Sequence, residues 1–176
     1  MQKTTWLGLA YSVPINPSKA RVYVWRKLKE FGAEYLKQGM AVLPYSTHNS
    51  QQFTVLAQKI RQMGGEALLV ELRFTDPKDE AEMVERFQKQ MEEEYQALRS
   101  DCINTANSLR AQEQPPGSKE SEQIKQMIKR YRKAKARDYF KIAIASEIED
   151  GINEIIDTMR ELAGDVGAQL KRLMEA

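Results

Sequence analysis

The stretch "EALLVELRF", residues 66–74, decides the fold. Six of its nine residues are apolar, and Gly64-Gly65 stand directly before it. It is too short for a helix of ordinary length and rich in leucine and valine, so it reads as a strand. Apolar side chains fall on both of its faces, which predicts a central place in a sheet. Before it, "STHNSQQFTVLAQKIRQMGG" (46–65) sets Phe53, Leu56, Ile60 and Met63 on one helical face and stops at two glycines. His48 reads there as a polar residue of the turn that precedes the helix. "AEYLKQGMAVLP" (33–44) carries two short apolar runs around Gln38-Gly39, the pattern of a hairpin or a bulged strand pair. "SKARVYVWRKLKEFG" (18–32) reads as a helix capped by Ser18 and ended by Gly32, with Ala20, Val24, Leu28 and Phe31 on one face. Pro17 lies in the turn before it, and "TTWLGLAYSV" (4–13) alternates at strand period. The order over residues 1–75 is β-α-β-β-α-β. That is the ferredoxin-like arrangement, an antiparallel sheet with two helices on one face, and it makes the fold class α+β.

Residues 76–176 predict a helical extension. A helix starting at Asp76 or Asp79 carries Val84, Phe87, Met91, Tyr95, Leu98, Cys102, Ala106 and Leu109 at spacings of three and four. Such a stripe requires a partner. Pro115-Pro116-Gly117 form a tight linker, and Ser118 or Ser121 is placed to cap the next helix, which buries Ile124, Ile128 and Tyr131. Together these two helices predict an antiparallel hairpin over about 76–140. "SEIE" (146–149) has the spacing of a capping box, Ser146 with Glu149, so a break is expected near 141–146. A last helix over about 146–174 follows, with Ile148, Ile152, Ile155, Met159, Leu162, Val166, Leu170 and Leu173 inside.

The charge is nearly balanced but unevenly distributed. Residues 1–74 hold ten basic against four acidic side chains, residues 76–101 four against nine, and residues 119–137 eight against two. Separated blocks of this kind are either the outer faces of amphipathic helices or a docking surface. No apolar run approaches the ~18 residues needed to span a bilayer, so no membrane partner is expected. The single cysteine excludes an internal disulfide and is compatible with a reducing cytoplasm. One histidine and one cysteine do not make an ordinary zinc site, and no phosphate loop or nucleophile elbow is present. The chain is therefore expected to be no enzyme and to use no metal or cofactor. Cys102, on the apolar stripe of an acidic helix, is expected to be an inert thiol.

The densest charge is "KRYRKAKARDYF", residues 129–140. On a helix Lys129, Arg132 and Lys133 share one face, as do Arg130 and Arg137. Cations at this density track nucleic-acid phosphates, with an affinity that falls steeply with salt. A homodimer that doubles the strip binds better than a monomer. The alternative is a helix whose cations neutralise the acidic helix before it.

The segment "NPSKARVYVWRKLKEFGAEYLKQGMAVLP" resembles the N-terminal domain of the ChrB family of chromate-resistance proteins. The resemblance rests on Ser18, Arg21, Val22, Trp25, Arg26, Gly32, Ala33, Gly39, Leu43 and Pro44, continues through "MGGEALLVE" and returns at "YRKAKARDYF". It implies a cytoplasmic protein of chromate resistance, often a chromate-responsive transcriptional regulator. The second domain that many members carry is expected to be absent. The opening strand-helix-hairpin also resembles the central domain of phenylacetate-catabolism repressors and the small nucleases of CRISPR adaptation. Those nucleases end the first strand with a metal-holding aspartate, whereas Tyr11-Ser12-Val13 stand here, against a metal-dependent nuclease.

Chromate is a tetrahedral dianion, and its receptor has to offer arginine forks, lysine charges or free helix N–H groups. Arg21, Arg26, Lys27, Lys135 and Arg137 are the expected anion-binding residues, with Ser18, Trp25 and Asp138 in support. Lys129, Arg130, Arg132, Lys133 and Arg137 are the expected contacts to DNA. The leading expectation is a regulator or sensor that binds DNA, chromate or a similar oxyanion. The alternative is a structural or protein-interaction module with no direct ligand.

Overall fold

The structure, a computed structural model, describes residues 4–15, 18–111 and 116–175. Pro17 and Pro115, expected in turns, lie outside the described residues. The chain divides into two compact units, one through Phe87 and one from Gln88.

The first unit contains β1 (Trp6–Ser12), α1 (Lys19–Phe31), β2 (Glu34–Lys37), β3 (Met40–Pro44), α2 (Thr47–Gln62) and β4 (Glu66–Leu72). The strands form one antiparallel sheet in the order β2-β3-β1-β4. That is the ferredoxin-like topology expected from the sequence. Gln38-Gly39 join β2 to β3, with Gly39 at φ 77°, a conformation that glycine adopts without strain. The same pair of strands also shifts register between Tyr35 and Lys37.

The core follows the helical and strand periods. Leu7, Leu9, Ala41 and Leu43 are buried from the sheet, Val24 and Leu28 from α1, and Phe53, Leu56 and Ile60 from α2. Each of these side chains apart from that of Ala41 contributes about 1.5–3 kcal/mol when fully buried. Gly32 ends α1 in the left-handed conformation at φ 68°, as its position predicts. Ser18 stands at the other end but accepts no capping hydrogen bond through its side chain, so the expected cap is not made. Ser46 is the cap that is made: its Oγ accepts from the Asn49 N–H at 3.0 Å, which brings His48 inside the first turn of α2.

β4 is an edge strand and not the central one that its composition predicts. The first turns of α3 (Pro77–Ala111) supply part of the reason. Glu80 accepts from the Trp6 Nε1–H and the Thr4 N–H, both at 3.1 Å, and Trp6 packs against Phe74 and Phe87. Arg86 reaches Glu34 at 2.9 Å and the Tyr35 carbonyl at 2.8 Å. Both faces of the sheet thus have helical cover, so apolarity on two faces does not require a neighbour on two edges. The cover stops short of Leu68, which is 62% exposed. The unit built on the sheet extends to Phe87 and so includes the first turns of α3.

The second unit packs the rest of α3 with α4 (Ser118–Arg137), α5 (Ile144–Ala163) and α6 (Asp165–Glu175). Tyr95, Leu98, Ile124, Ile128, Tyr131, Ile148, Ile152, Ile155, Ile156, Met159 and Leu170 form its core. Arg130 pairs with Asp101 and Arg137 with Glu94, so α3 and α4 run antiparallel. Ser118 and Ser121 do not cap α4: Gly117 precedes it, and the Glu120 carboxylate accepts the Gly117 N–H at 3.0 Å. The single last helix expected over 146–174 is two helices, broken at Gly164, and Leu162 is exposed at the break. At Gly167 a Cβ would stand 2.5 Å from both Cα and N of Arg160. That approach of α6 to α5 tolerates no side chain. Gly167→Ala is expected to lower stability by about 1–3 kcal/mol, the usual cost of overpacking, measured as a shift of the urea-unfolding midpoint.

Candidate functional site: the basic helix and the groove at the start of α1

The basic run occupies the last turns of α4, and its cations have different partners. Tyr131 is buried and its hydroxyl donates to Glu149 Oε2 at 2.6 Å. Lys135 Nζ donates to the same oxygen at 2.7 Å and lies 5.6 Å from the Tyr131 ring centre. Arg137 holds both oxygens of Glu94 at 2.7 and 2.8 Å, and Arg130 holds Asp101 at 2.5 Å. Arg132 donates to the Leu173 carbonyl at 3.2 Å, a neutral acceptor that leaves its charge uncompensated. Lys129 and Lys133 are exposed, and Lys125 lies one turn earlier. Among the described residues these three lysines make no ion pair. A row of uncompensated cations therefore runs along the outer face of α4.

Asp138 closes the helix and shapes the loop after it. Its carboxylate accepts the Tyr95 hydroxyl at 3.2 Å and the Ile142 N–H at 3.1 and 3.2 Å. Its support is to the chain turn between α4 and α5. The capping box expected of Ser146 and Glu149 does not form. α5 begins at Ile144, so Ser146 already lies inside it and donates to the Ala143 carbonyl at 2.9 Å. Glu149 turns instead to Lys135 and Tyr131. Spacing alone concealed this role, because Ser-x-x-Glu fits both a cap and a helix interior.

Electrostatics follow from these contacts. The hydrogen bonds from Lys135 and then Tyr131 hold the Glu149 carboxyl below its usual range. Burial, reinforced by the neighbouring carboxylates, holds the Tyr95 and Tyr131 phenols well above theirs. Burial also pushes the Cys102 thiol up to about 11, and its Sγ lies 3.5 Å from Met127 Sδ.

In the first unit, a groove of about 490 Å³ lies at the start of α1. It is lined by Tyr11, Val13, Ser18, Arg21, Val22, Trp25 and Tyr35. Arg21, Trp25 and Ser18 were expected at a site and do meet here; Tyr11 and Tyr35 were not. Lys27 lines a different groove, with Tyr23, Phe31 and His48, and pairs with Glu30 at 2.8 Å. That hydrogen bond raises the Lys27 pKa above its ordinary value. Arg26 is exposed and makes no ion pair among the described residues. The basic residues of α1 therefore do not converge on one point. Lys135 and Arg137 belong to the second unit, where carboxylates already hold them. Among the described residues no group of three or more His, Cys, Asp or Glu is placed to hold a metal ion, and no helix is long and apolar enough to cross a membrane.

Two measurements check this electrostatic assignment. A double-mutant cycle of Lys135→Ala with Glu149→Gln is expected to give about 0.2–1 kcal/mol at pH 7, the range of an exposed pair. Glu149 has a depressed folded pKa, so the coupling is present above the unfolded value of ~4.3. It is lost as pH falls below that value and through the folded one. At pH 8, Cys102 in the folded protein is expected to react with a maleimide at least tenfold more slowly than in urea, because the thiolate is the reacting form.

Comparison with known proteins agrees with the motifs. The family described as Protein ChrB, N-terminal, matches residues 21–173. Over 90 residues the chain is 30% identical to Protein ChrB of Cupriavidus metallidurans, an alignment that covers 51% of this chain and 28% of that protein. The chain thus matches only about a quarter of the length of that curated relative. No solved structure matches the chain. Matched from Arg21 to Leu173, through both the α1 motif and the basic helix, the chain belongs to the ChrB N-terminal family.

Proposed function

We propose that this chain is a chromate-responsive regulator that holds DNA against the outer face of α4. It acts in the cytoplasm, as a homodimer, by binding and without enzymatic chemistry. The observation that carries this reading is the sorting of charge on α4. Lys135, Arg137 and Arg130 are neutralised by Glu149, Glu94 and Asp101, whereas Lys125, Lys129 and Lys133 keep their charge and Arg132 meets only a carbonyl. If charge balance were the helix's whole role, its outer row would have carboxylate partners as well. Lysines at intervals of four residues share one helix face about 6 Å apart along the axis, so their ammonium groups form a row that can follow a phosphate backbone. Each phosphate they neutralise releases counterions, which provides affinity without sequence specificity. A second copy of the row in a homodimer doubles the number of such contacts.

Membership of the ChrB family supports chromate, or a similar oxyanion, as the signal. The test is a gel shift on the DNA fragment upstream of the protein's own gene, over a range of salt, with and without chromate and with sulfate as control. The wild type is expected to bind with a steep salt dependence and to release the fragment with chromate but not with sulfate. Lys129→Ala/Lys133→Ala is expected to lower the salt slope by about 2 and leave unfolding unchanged. Arg137→Ala is expected to act mainly on stability, because it strands Glu94. Absence of DNA binding at low salt, together with a stable complex with another protein, would establish the interaction module instead.

A further inference from the structure

The groove at the start of α1 has chemistry that a DNA-binding helix in the other unit does not use. Trp25 is 52% exposed, the most exposed aromatic residue of α1. A tryptophan left in water forgoes the burial that normally keeps it inside a domain. Beside it the groove is lined mainly by carbon: Val13, Val22 and the rings of Tyr11 and Tyr35. The two tyrosine hydroxyls lie 3.2 Å from each other, so each already has a polar partner, and the rings are what the groove presents. Burial and that mutual contact hold the Tyr11 phenol well above its usual range, so it stays uncharged. Lys29 Nζ lies 5.3 Å from the Trp25 ring centre, and Arg21 lines the same groove as that ring.

Arg21 is the only charged side chain lining the groove among the described residues. It has no carboxylate there to neutralise it. One guanidinium, the Ser18 hydroxyl and the one O–H that the tyrosine pair leaves over are too few donors for a bare tetrahedral dianion, which on leaving water requires polar partners on all sides. The carbon lining calls for a flat apolar body, and the lone arginine calls for one anionic group at its rim. We propose that this groove binds a planar aromatic anion of small-molecule size, its ring against Trp25 and the two tyrosine rings and its carboxylate or phosphate on Arg21. The volume of about 490 Å³ is within the range of small-ligand sites.

Benzoate and adenosine monophosphate share this chemistry and separate its two sources, an aromatic carboxylate and a nucleotide. The experiment titrates each into the intact chain by calorimetry and by tryptophan fluorescence, with cyclohexanecarboxylate and sulfate as controls. Trp6 is 0% exposed, so quenching by a bound ring reports on Trp25. At least one of the two aromatic anions is expected to bind saturably and at least tenfold tighter than either control. Arg21→Ala is expected to weaken that binding at least tenfold, and Trp25→Ala to remove the quenching. Both positions are exposed, and far-UV circular dichroism checks that the variants remain folded. Binding by neither aromatic anion, sulfate binding as tightly as the aromatic anions, or an affinity unchanged in Arg21→Ala would each overturn the proposal. None of these outcomes depends on whether α4 holds DNA.

Discussion

A buried phenol has to find an acceptor, and Tyr131 finds Glu149. That requirement acts in the same direction as the apolar face of α4 and fixes which polar groups meet beneath it. With Tyr131 turned inward, Ile124, Ile128 and Ala134 enter the core with it, Lys135 is carried to the same carboxylate, and Lys129 and Lys133 are left outside. An unsatisfied buried hydroxyl costs roughly 1–3 kcal/mol, more than an exposed ion pair contributes. Apolar burial and this hydrogen bond therefore set the phase of the helix together, and the ion pairs accept the positions they leave. Tyr95 repeats the device with Asp138, which ties the end of α4 to the turn that starts α5.

The sheet unit has its own counterpart in Trp6. Its ring is enclosed by Phe74 and Phe87 and its N–H is taken by Glu80, so the start of α3 is bound to β1. Two aromatic residues thus divide the labour in the first unit. Trp6 is wholly interior and structural, whereas Trp25 stands outside at a groove. The contrast places the structural weight of this unit on β1 and leaves the surface of α1 free for recognition.

Much of the fold was legible because burial follows period. The alternation of Leu7 and Leu9, and the spacing of Val24 with Leu28 and of Phe53 with Ile60, each name one face, and the β-α-β-β-α-β order then fixes the layers. The place of β4 was not legible, because apolar faces report cover above and below a sheet and say nothing about neighbours within it. The capping of α5 was misread for a related reason: Ser146 and Glu149 have the right spacing, but the helix starts earlier and tertiary partners claim Glu149. At the candidate sites, residue types were legible and their partners were not. Lys135 and Lys133 look alike in the sequence, and only the rotation of α4 separates a paired lysine from an uncompensated one. Tyr11 and Tyr35 meet Arg21 through strand pairing and helix packing, which no local pattern encodes.

Cys102 gives the molecule a form of chemical durability. A protein whose proposed work brings it near a strong oxidant has its one thiol in apolar surroundings, beside Met127 and away from water. Oxidation of a cysteine begins with its thiolate, and at neutral pH a thiol raised to about 11 supplies almost none. Packing thus slows oxidation at the first rung of the ladder, where the thiolate is consumed.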